Sequence, residues 1–346
     1  MQTNSNPKPL KLPENVDAYN RIAKTALFIK SNEQKELKIL TIHKDSMTSS
    51  HQNDQVIITG LLYLSITIPT IERHKNSHSN PSLSLPNMLS SDQTLYHYSL
   101  LTLYFITPLT FISLFFIQTP YGKHHRAGWG PTISPPLAWF LMESPTLWLT
   151  LLLFPFGLHR SNPKALILIS PFLLHYTNRT CLYPLRLLKT TAAGKNSGFP
   201  VIIAMIAFGF NLLNAYLQAG WVSHYKDYDG DGWFWWRFGL GLGVFLVGMR
   251  VNIWADKMLV GLKRQGGGYK VPRGGLFELV SCPNYFGEIV EWLGWALMTG
   301  SWAGFGFFLF TCANLVPRAR GNHEWYMEKF GEDYPKERKA VIPFVY

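Results

Sequence analysis

The sequence predicts an all-α integral membrane protein, a bundle of seven transmembrane helices with a basic cytosolic face. Three observations predict it. Of the 346 residues 47% are apolar and only 15% charged, with twelve Trp, sixteen Tyr and twenty-three Phe; soluble domains carry about 25% charged residues. Seven stretches with few or no charges follow one another between Leu95 and Pro317. Lys and Arg collect in alternate connections between them, which marks cytosolic loops. The net charge is +11. A nucleic-acid-binding surface could carry such a charge. Here the cations lie between apolar stretches, so lipid is the expected partner and nucleic acid is not.

Residues 1–93 have a different texture. They are rich in Ser, Asn, Lys and Pro, hold no sustained helical period, and are expected to form a low-complexity, mostly disordered extension. Within them residues 56–71 are uncharged, but sixteen residues fall short of the roughly twenty that cross a bilayer. No basic stretch followed by an apolar one opens the chain, so no cleavable signal peptide is predicted.

Residues 94–346 are expected to form the membrane domain. Residues 95–117 are uncharged, 137–158 hold one charge (Glu143), and 165–188 hold Arg179 and Arg186. Residues 199–222 are uncharged, and 233–253 hold Arg237 and Arg250. Residues 284–300 and 302–317 read as a tight helical hairpin. Each stretch must be helical, because open backbone in hydrocarbon leaves amide groups unpaired. The loop after the first stretch carries Lys123 and Arg126, and that after the third Lys189 and Lys195. Five cations from Lys257 to Arg273 follow the fifth, and Arg318 and Arg320 open the tail. This asymmetry puts the C-terminus in the cytosol.

Several polar residues stand where hydrocarbon is expected. A carboxylate there costs about 2.5 to 3.5 kcal/mol on insertion scales, so Glu143 should face the bundle interior. It would serve there as an arginine's partner or as a working acid or hydrogen-bonding group. Tyr176, Arg179 and Tyr183, at i, i+3 and i+7, share a helical face and point to a lined cavity; either tyrosine alone reads equally as an interfacial anchor. Asn252 and Asp256 share a face, as do Asn284, Glu288 and Glu291. Such groups suit a ribose hydroxyl, an amide or a neighbouring arginine. The five cations from Lys257 to Arg273, interrupted by glycines, suit phosphates or anionic lipid headgroups. The glycine run at 266–268 follows no buried strand, so it is no dinucleotide fingerprint. Cys181, Cys282 and Cys312 form no CxxC pair, which argues against a disulfide framework and against a metal site.

The pieces "YGKHHRAGWGPTISPPLAWFLMESPTLW", "HYTNRT", "NIWADKML", "PRGGLFELVSCPNYFGEIVEWLGWA" and "KFGEDYPKERKAVIPFVY" together resemble the steroid 5α-reductase family, above all its plant members acting in brassinosteroid synthesis. The resemblance runs from about residue 95 to residue 346. It implies seven transmembrane helices in the endoplasmic reticulum membrane, NADPH as cofactor on the cytosolic face, and a steroid substrate entering from the bilayer. It implies that Glu143 and Tyr176 hydrogen-bond the steroid 3-ketone. It places Arg179, Tyr183, Asn252, Asp256, Lys263, Tyr269, Lys270, Asn284, Glu288, Trp292, Arg318 and Tyr326 on the cofactor side. Lys263 and Lys270 stand where some members carry arginine. Asn322, followed by His323, stands where animal members carry histidine. Family members begin shortly before the first stretch, so Met88 reads as a usable start. The alternatives are a membrane reductase of polyprenals or trans-2-enoyl-CoA, an S-adenosylmethionine-dependent membrane methyltransferase, and a non-catalytic lipid-binding protein.

Overall fold

The computed structural model describes residues 85–191 and 198–346. Most of the expected N-terminal extension, with its apolar residues 56–71, lies outside the described residues, as does Lys195. The α-helices described are α1 (Leu85–Phe116), α2 (Pro135–Leu153), α3 (Pro163–Thr177), α4 (Tyr183–Thr191), α5 (Val201–Gly220), α6 (Phe234–Arg264), α7 (Pro283–Thr299) and α8 (Trp302–Phe330). Among the described residues, four stretches are long and apolar enough to cross a membrane: Asp92–Phe116, Pro135–Phe156, Val201–Tyr225 and Phe234–Arg264. The architecture is therefore that of an all-α membrane protein. One two-residue clasp, Thr132–Ile133 antiparallel to Phe199–Pro200, ties the segment before α2 to the start of α5.

Large apolar side chains stay outside. On α1, Leu101 is 63% exposed and Phe116 80% exposed. A continuous face of this kind belongs against lipid. Trp233 and Trp236 are exposed at the start of α6, as aromatic rings are at the edge of hydrocarbon. Inside, Phe172, Phe234, Phe245, Trp292, Trp295 and Phe307 belong to one core.

Two Ser-Pro pairs show how this chain keeps its backbone satisfied. A proline inside a helix frees the carbonyl four residues earlier. Pro145 frees that of Leu141, and Ser144 Oγ donates to it at 3.2 Å. Pro171 frees that of Ile167, and Ser170 Oγ donates to it at 2.8 Å. Hydrocarbon offers no donor for these groups, so the preceding hydroxyl takes that role. The last stretch differs from the prediction in length. Residue 317 was the expected end, but α8 runs through Pro317 to Phe330. Contacts on both sides of that proline, from Phe307 to Tyr326, hold the helix together across the missing hydrogen bond.

Helices α6 and α7 touch through backbone. A Cβ on Gly248 would sit 2.5 Å from the carbonyl oxygen of Gly287, and one on Gly287 would sit 2.7 Å from that of Gly248. Gly241 and Gly294 repeat the relation, at 2.7 and 2.6 Å. Only glycine permits so close an approach. The contact sets Asn252 and Asp256 of α6 opposite Asn284 and Glu288 of α7. Helices α3 and α4 form one helical run interrupted by a wider turn, Asn178–Leu182. Wide turns of this sort gather at functional sites, and this one carries Arg179.

Candidate active site

Arg179 sits among three carboxylates. Its Nη1 is 3.1 Å from Asp256 Oδ2, and its Nη2 is 3.7 Å from Glu143 Oε1 and 4.0 Å from Glu288 Oε2. The guanidinium also lies over the rings of Trp139, at 4.7 Å, and Tyr183, at 4.9 Å. Amides complete the cluster. Asn284 Nδ2 donates to Asp256 Oδ1 at 3.1 Å. Asn252 Nδ2 donates to Glu288 Oε2 at 3.3 Å and to the Asn284 carbonyl at 3.0 Å. Four helical segments thus meet at one buried cation, which explains why each tolerates a charge in an apolar setting.

Tyr176 lies beside this cluster. It is 3% exposed, stacks on Trp292 at 5.7 Å, and its hydroxyl accepts from Asn214 Nδ2 at 3.4 Å. The second oxygen of Glu143 accepts from Asn211 Nδ2 at 3.5 Å. Glu291 leaves the company its spacing suggested: its Oε1 is 2.7 Å from His175 Nδ1, away from the Arg179 cluster. Trp292 is packed within the apolar core against Phe172, His175 and Phe307.

A second group gathers between α8 and the segment after α1. Arg318 donates to the Tyr121 hydroxyl and to Asn314 Oδ1, and it lies over the Tyr285 ring at 5.5 Å. Lys123 Nζ lies 3.9 Å over the Tyr326 ring and 4.9 Å over that of Trp325. Burial pushes the Lys123 ammonium down to about 8 and the Cys282 thiol up to about 11. Asn322 bonds His124 at 3.0 Å and the Tyr285 hydroxyl at 3.4 Å. His323 instead meets Ser281 Oγ at 2.6 Å, so the two neighbours serve different surroundings.

The expected phosphate-side residues are more dispersed. Tyr269 is half-exposed against Trp325 at 4.9 Å, and Lys270 bonds Gln265 Oε1 at 3.0 Å. Lys263 is in the last turn of α6. Gly266, Gly267 and Gly268 have φ of +65°, +77° and +88°, a turn only glycine adopts readily. Arg273 pairs with Glu278 at 3.8 Å and donates to the Asp333 carbonyl at 3.3 Å.

Glu143, Arg179, Tyr183, Asn252, Asp256, Asn284 and Glu288 therefore form one cluster, with Tyr176 at its flank. Arg318 and Tyr326 belong to the second group. Trp139, Asn211 and Asn214 also line these surroundings and were not singled out from sequence, and Lys123, which joins them, was read only as a cation of a cytosolic loop. The two asparagines did leave a signal, as amides in an otherwise apolar helix need buried partners.

Comparisons with known proteins give the chain its family. The family model described as 3-oxo-5-alpha-steroid 4-dehydrogenase matches residues 197–346, which carry α5 to α8. Steroid 5-alpha-reductase DET2 of Gossypium hirsutum is 71% identical over 260 residues, covering 75% of this chain and 100% of its own. This chain belongs to the steroid 5α-reductase family. Two further family members agree. Steroid 5-alpha-reductase DET2 of Arabidopsis thaliana is 66% identical over 74% of this chain and 98% of its own. The 3-oxo-5-alpha-steroid 4-dehydrogenase 1 of Mus musculus is 40% identical over 70% of this chain and 93% of its own. Steroid 5α-reductases are oxidoreductases, and the donor set of this member fits a nicotinamide dinucleotide. Amides and carboxylates converge on α6 and α7, Arg179 Nε is buried without a hydrogen-bond partner, and exposed cations flank the glycine turn.

Proposed function

We propose that this chain is an NADPH-dependent reductase of the Δ4 double bond of 3-oxo-Δ4 steroids, yielding 5α-steroids in brassinosteroid synthesis. The observation that carries the reading is the buried Tyr176 hydroxyl beside the Arg179 carboxylate cluster, in a chain so close to plant steroid 5-alpha-reductases. The protein crosses the endoplasmic reticulum membrane seven times, with α3 and α4 as one span and the C-terminus cytosolic. The lipid-facing side chains of α1 and the basic loops support that arrangement.

Tyr176 donates a hydrogen bond to the 3-keto oxygen of a steroid that enters from the bilayer. Glu143, held by Arg179 and Asn211, is the second group at that oxygen. Negative charge grows there as carbon 5 is reduced, and a fixed donor in a dry site opposes it best. Removing one such donor typically costs about 10²- to 10³-fold in rate. A proton delivered to carbon 4 completes the product. When bound, NADPH supplies the hydride. Asn252, Asp256, Asn284, Glu288 and Trp292 would hold its nicotinamide half. Arg179 and Tyr183, which belong to the same cluster, would border that half, and Lys263, Tyr269, Lys270, Arg318 and Tyr326 would hold its phosphates and remaining sugar and base. Lysines at 263 and 270 offer point charges where a guanidinium would offer a fork.

The test is reduction of a Δ4-3-ketosteroid by microsomes carrying the chain, with NADPH and with S-adenosylmethionine supplied separately. Formation of 5α product with NADPH supports the proposal. Methyl transfer without reduction, or reduction confined to polyprenals or enoyl-CoA, would replace it.

A further inference from the structure

The hydroxyl of Tyr176 is the end of a chain of buried amides. Asn214 Nδ2 faces Tyr176 Oη at 3.4 Å, and Gln218 Nε2 donates to Asn214 Oδ1 at 3.1 Å. Gln218 Nε2 also donates to the Ala303 carbonyl at 3.0 Å, and Gln218 Oε1 accepts from the Trp295 indole at 2.8 Å. Asn214, Gln218 and Trp295 are all fully buried, at 0% exposure.

The two anchors of this chain are one-way groups. An indole N–H only donates, and a backbone carbonyl only accepts. Turning the Gln218 amide over would set donor against donor at Trp295 and acceptor against acceptor at Ala303. Gln218 is therefore fixed with its NH2 towards Asn214. Asn214 must then present its oxygen to Gln218 and its NH2 to Tyr176. The tyrosine oxygen accepts, and its single proton is left for another acceptor. Buried networks satisfied at every member specify one arrangement in this way.

We propose that Asn214 and Gln218, anchored on Trp295 and the Ala303 carbonyl, are positioning residues that hold Tyr176 as a hydrogen-bond donor to the carbonyl of the substrate. This rests on the reading of Tyr176 given above and adds what fixes its polarity. Three helices, α5, α7 and α8, contribute to the relay, so the donor direction depends on their packing and not on α3 alone.

The experiment measures kcat and KM for a Δ4-3-ketosteroid in microsomes with saturating NADPH. The variants are Asn214→Asp and Gln218→Met, each alone and combined with Tyr176→Phe. Asn214→Asp keeps the shape and, in its ionised form, offers the hydroxyl only acceptors, so the Tyr176 proton turns towards it; the assay is therefore run up to alkaline pH, where the carboxylate form is favoured. Outer partners that orient a metal's ligands typically carry about 10- to 100-fold; by the same orienting logic a kcat loss of about that size is expected, with KM for steroid nearly unchanged. Gln218→Met unlocks the Asn214 amide and should lower kcat in the same direction. Neither change should slow the Tyr176→Phe enzyme further, because the proton they steer is already gone. Equal losses in the presence and absence of the Tyr176 hydroxyl would mean a role in the fold alone and would overturn the proposal. Unchanged kcat in Asn214→Asp would overturn it while leaving the Tyr176 reading intact. Unchanged kcat in Tyr176→Phe would overturn both. If Asn214→Asp does not accumulate, the Gln218→Met pair decides.

Discussion

Arg179 Nη1 lies 3.1 Å from Asp256 Oδ2, and this contact joins the wide turn between α3 and α4 to α6 across 77 residues of sequence. Glu143 and Glu288 approach the same guanidinium from α2 and α7. One cation thus balances carboxylates from three other helices in a setting where water is scarce.

Arg179→Met should be among the most damaging single changes. It leaves buried carboxylates without their cation, a loss of about 3 to 5 kcal/mol for a broken buried pair. Thermal denaturation in detergent should show a markedly lower midpoint and less folded protein. Arg179→Lys should restore little, since a point charge cannot reach several acceptors as a planar fork does. A lysine variant that melts like the parent would contradict this account of the cluster.

Glu143→Gln and Tyr176→Phe should act on turnover and spare cofactor binding. Each should lower steroid reduction, by about 10²- to 10³-fold where a transition-state donor is lost. NADPH affinity, followed by fluorescence titration of the detergent-solubilised protein, should stay close to that of the parent. Near-normal rates in both variants would remove them from the chemistry.

The glycine contacts between α6 and α7 give a paired test. Gly287→Ala forces a methyl group to within 2.5 Å of the Asn252 amide nitrogen, so the helices must part. Overpacking of this kind costs about 1 to 3 kcal/mol or more, and it separates Asn252 from Glu288. Gly243→Ala, on the same α6 with nothing within 4 Å, should be neutral or stabilising by about 0.5 to 1 kcal/mol. Folded yield and melting temperature of the two variants check the difference.

Lys123 predicts a pH dependence. Burial holds its ammonium near 8, against an ordinary value of about 10.4. Between these values the unfolded chain binds a proton that the folded chain does not, so stability rises with pH across that window. Below about 8 both states are protonated and the penalty is complete. Lys123→Met should remove the slope, so its melting temperature should exceed that of the parent most at neutral pH. Cys282 works in the opposite sense above about pH 9, because its raised value keeps the folded thiol protonated after the unfolded one ionises. Lys123 lowers the Cys282 value by its charge, so the comparison is made below about pH 9, where the thiol stays protonated in both proteins.

Much of the cluster was legible as spacing. Asn252 with Asp256, and Asn284 with Glu288, share helix faces at i and i+4, and the structure bonds these four residues to one another. Arg179 was legible as a charge needing a partner, though not which of several carboxylates would serve. Glu291 was grouped with Glu288 by spacing, yet it pairs with His175 because a further turn along α7 brings it under α3. The interruption at Asn178–Leu182 was not legible, because NRTCL holds no proline or glycine to mark a break. The Trp295–Gln218–Asn214 relay was hidden for a different reason. Its members are uncharged, and the contacts that orient them join α5 to residues 77 to 85 positions away.

The most direct measurement incubates microsomes containing the full chain with NADPH and a panel of Δ4-3-ketosteroids, and resolves the products by mass spectrometry against 5α and 5β standards. The expected result is 5α product that depends on NADPH and falls sharply in the Tyr176→Phe protein. Absence of reduction across the panel, or 5α product unchanged by Tyr176→Phe, would contradict it.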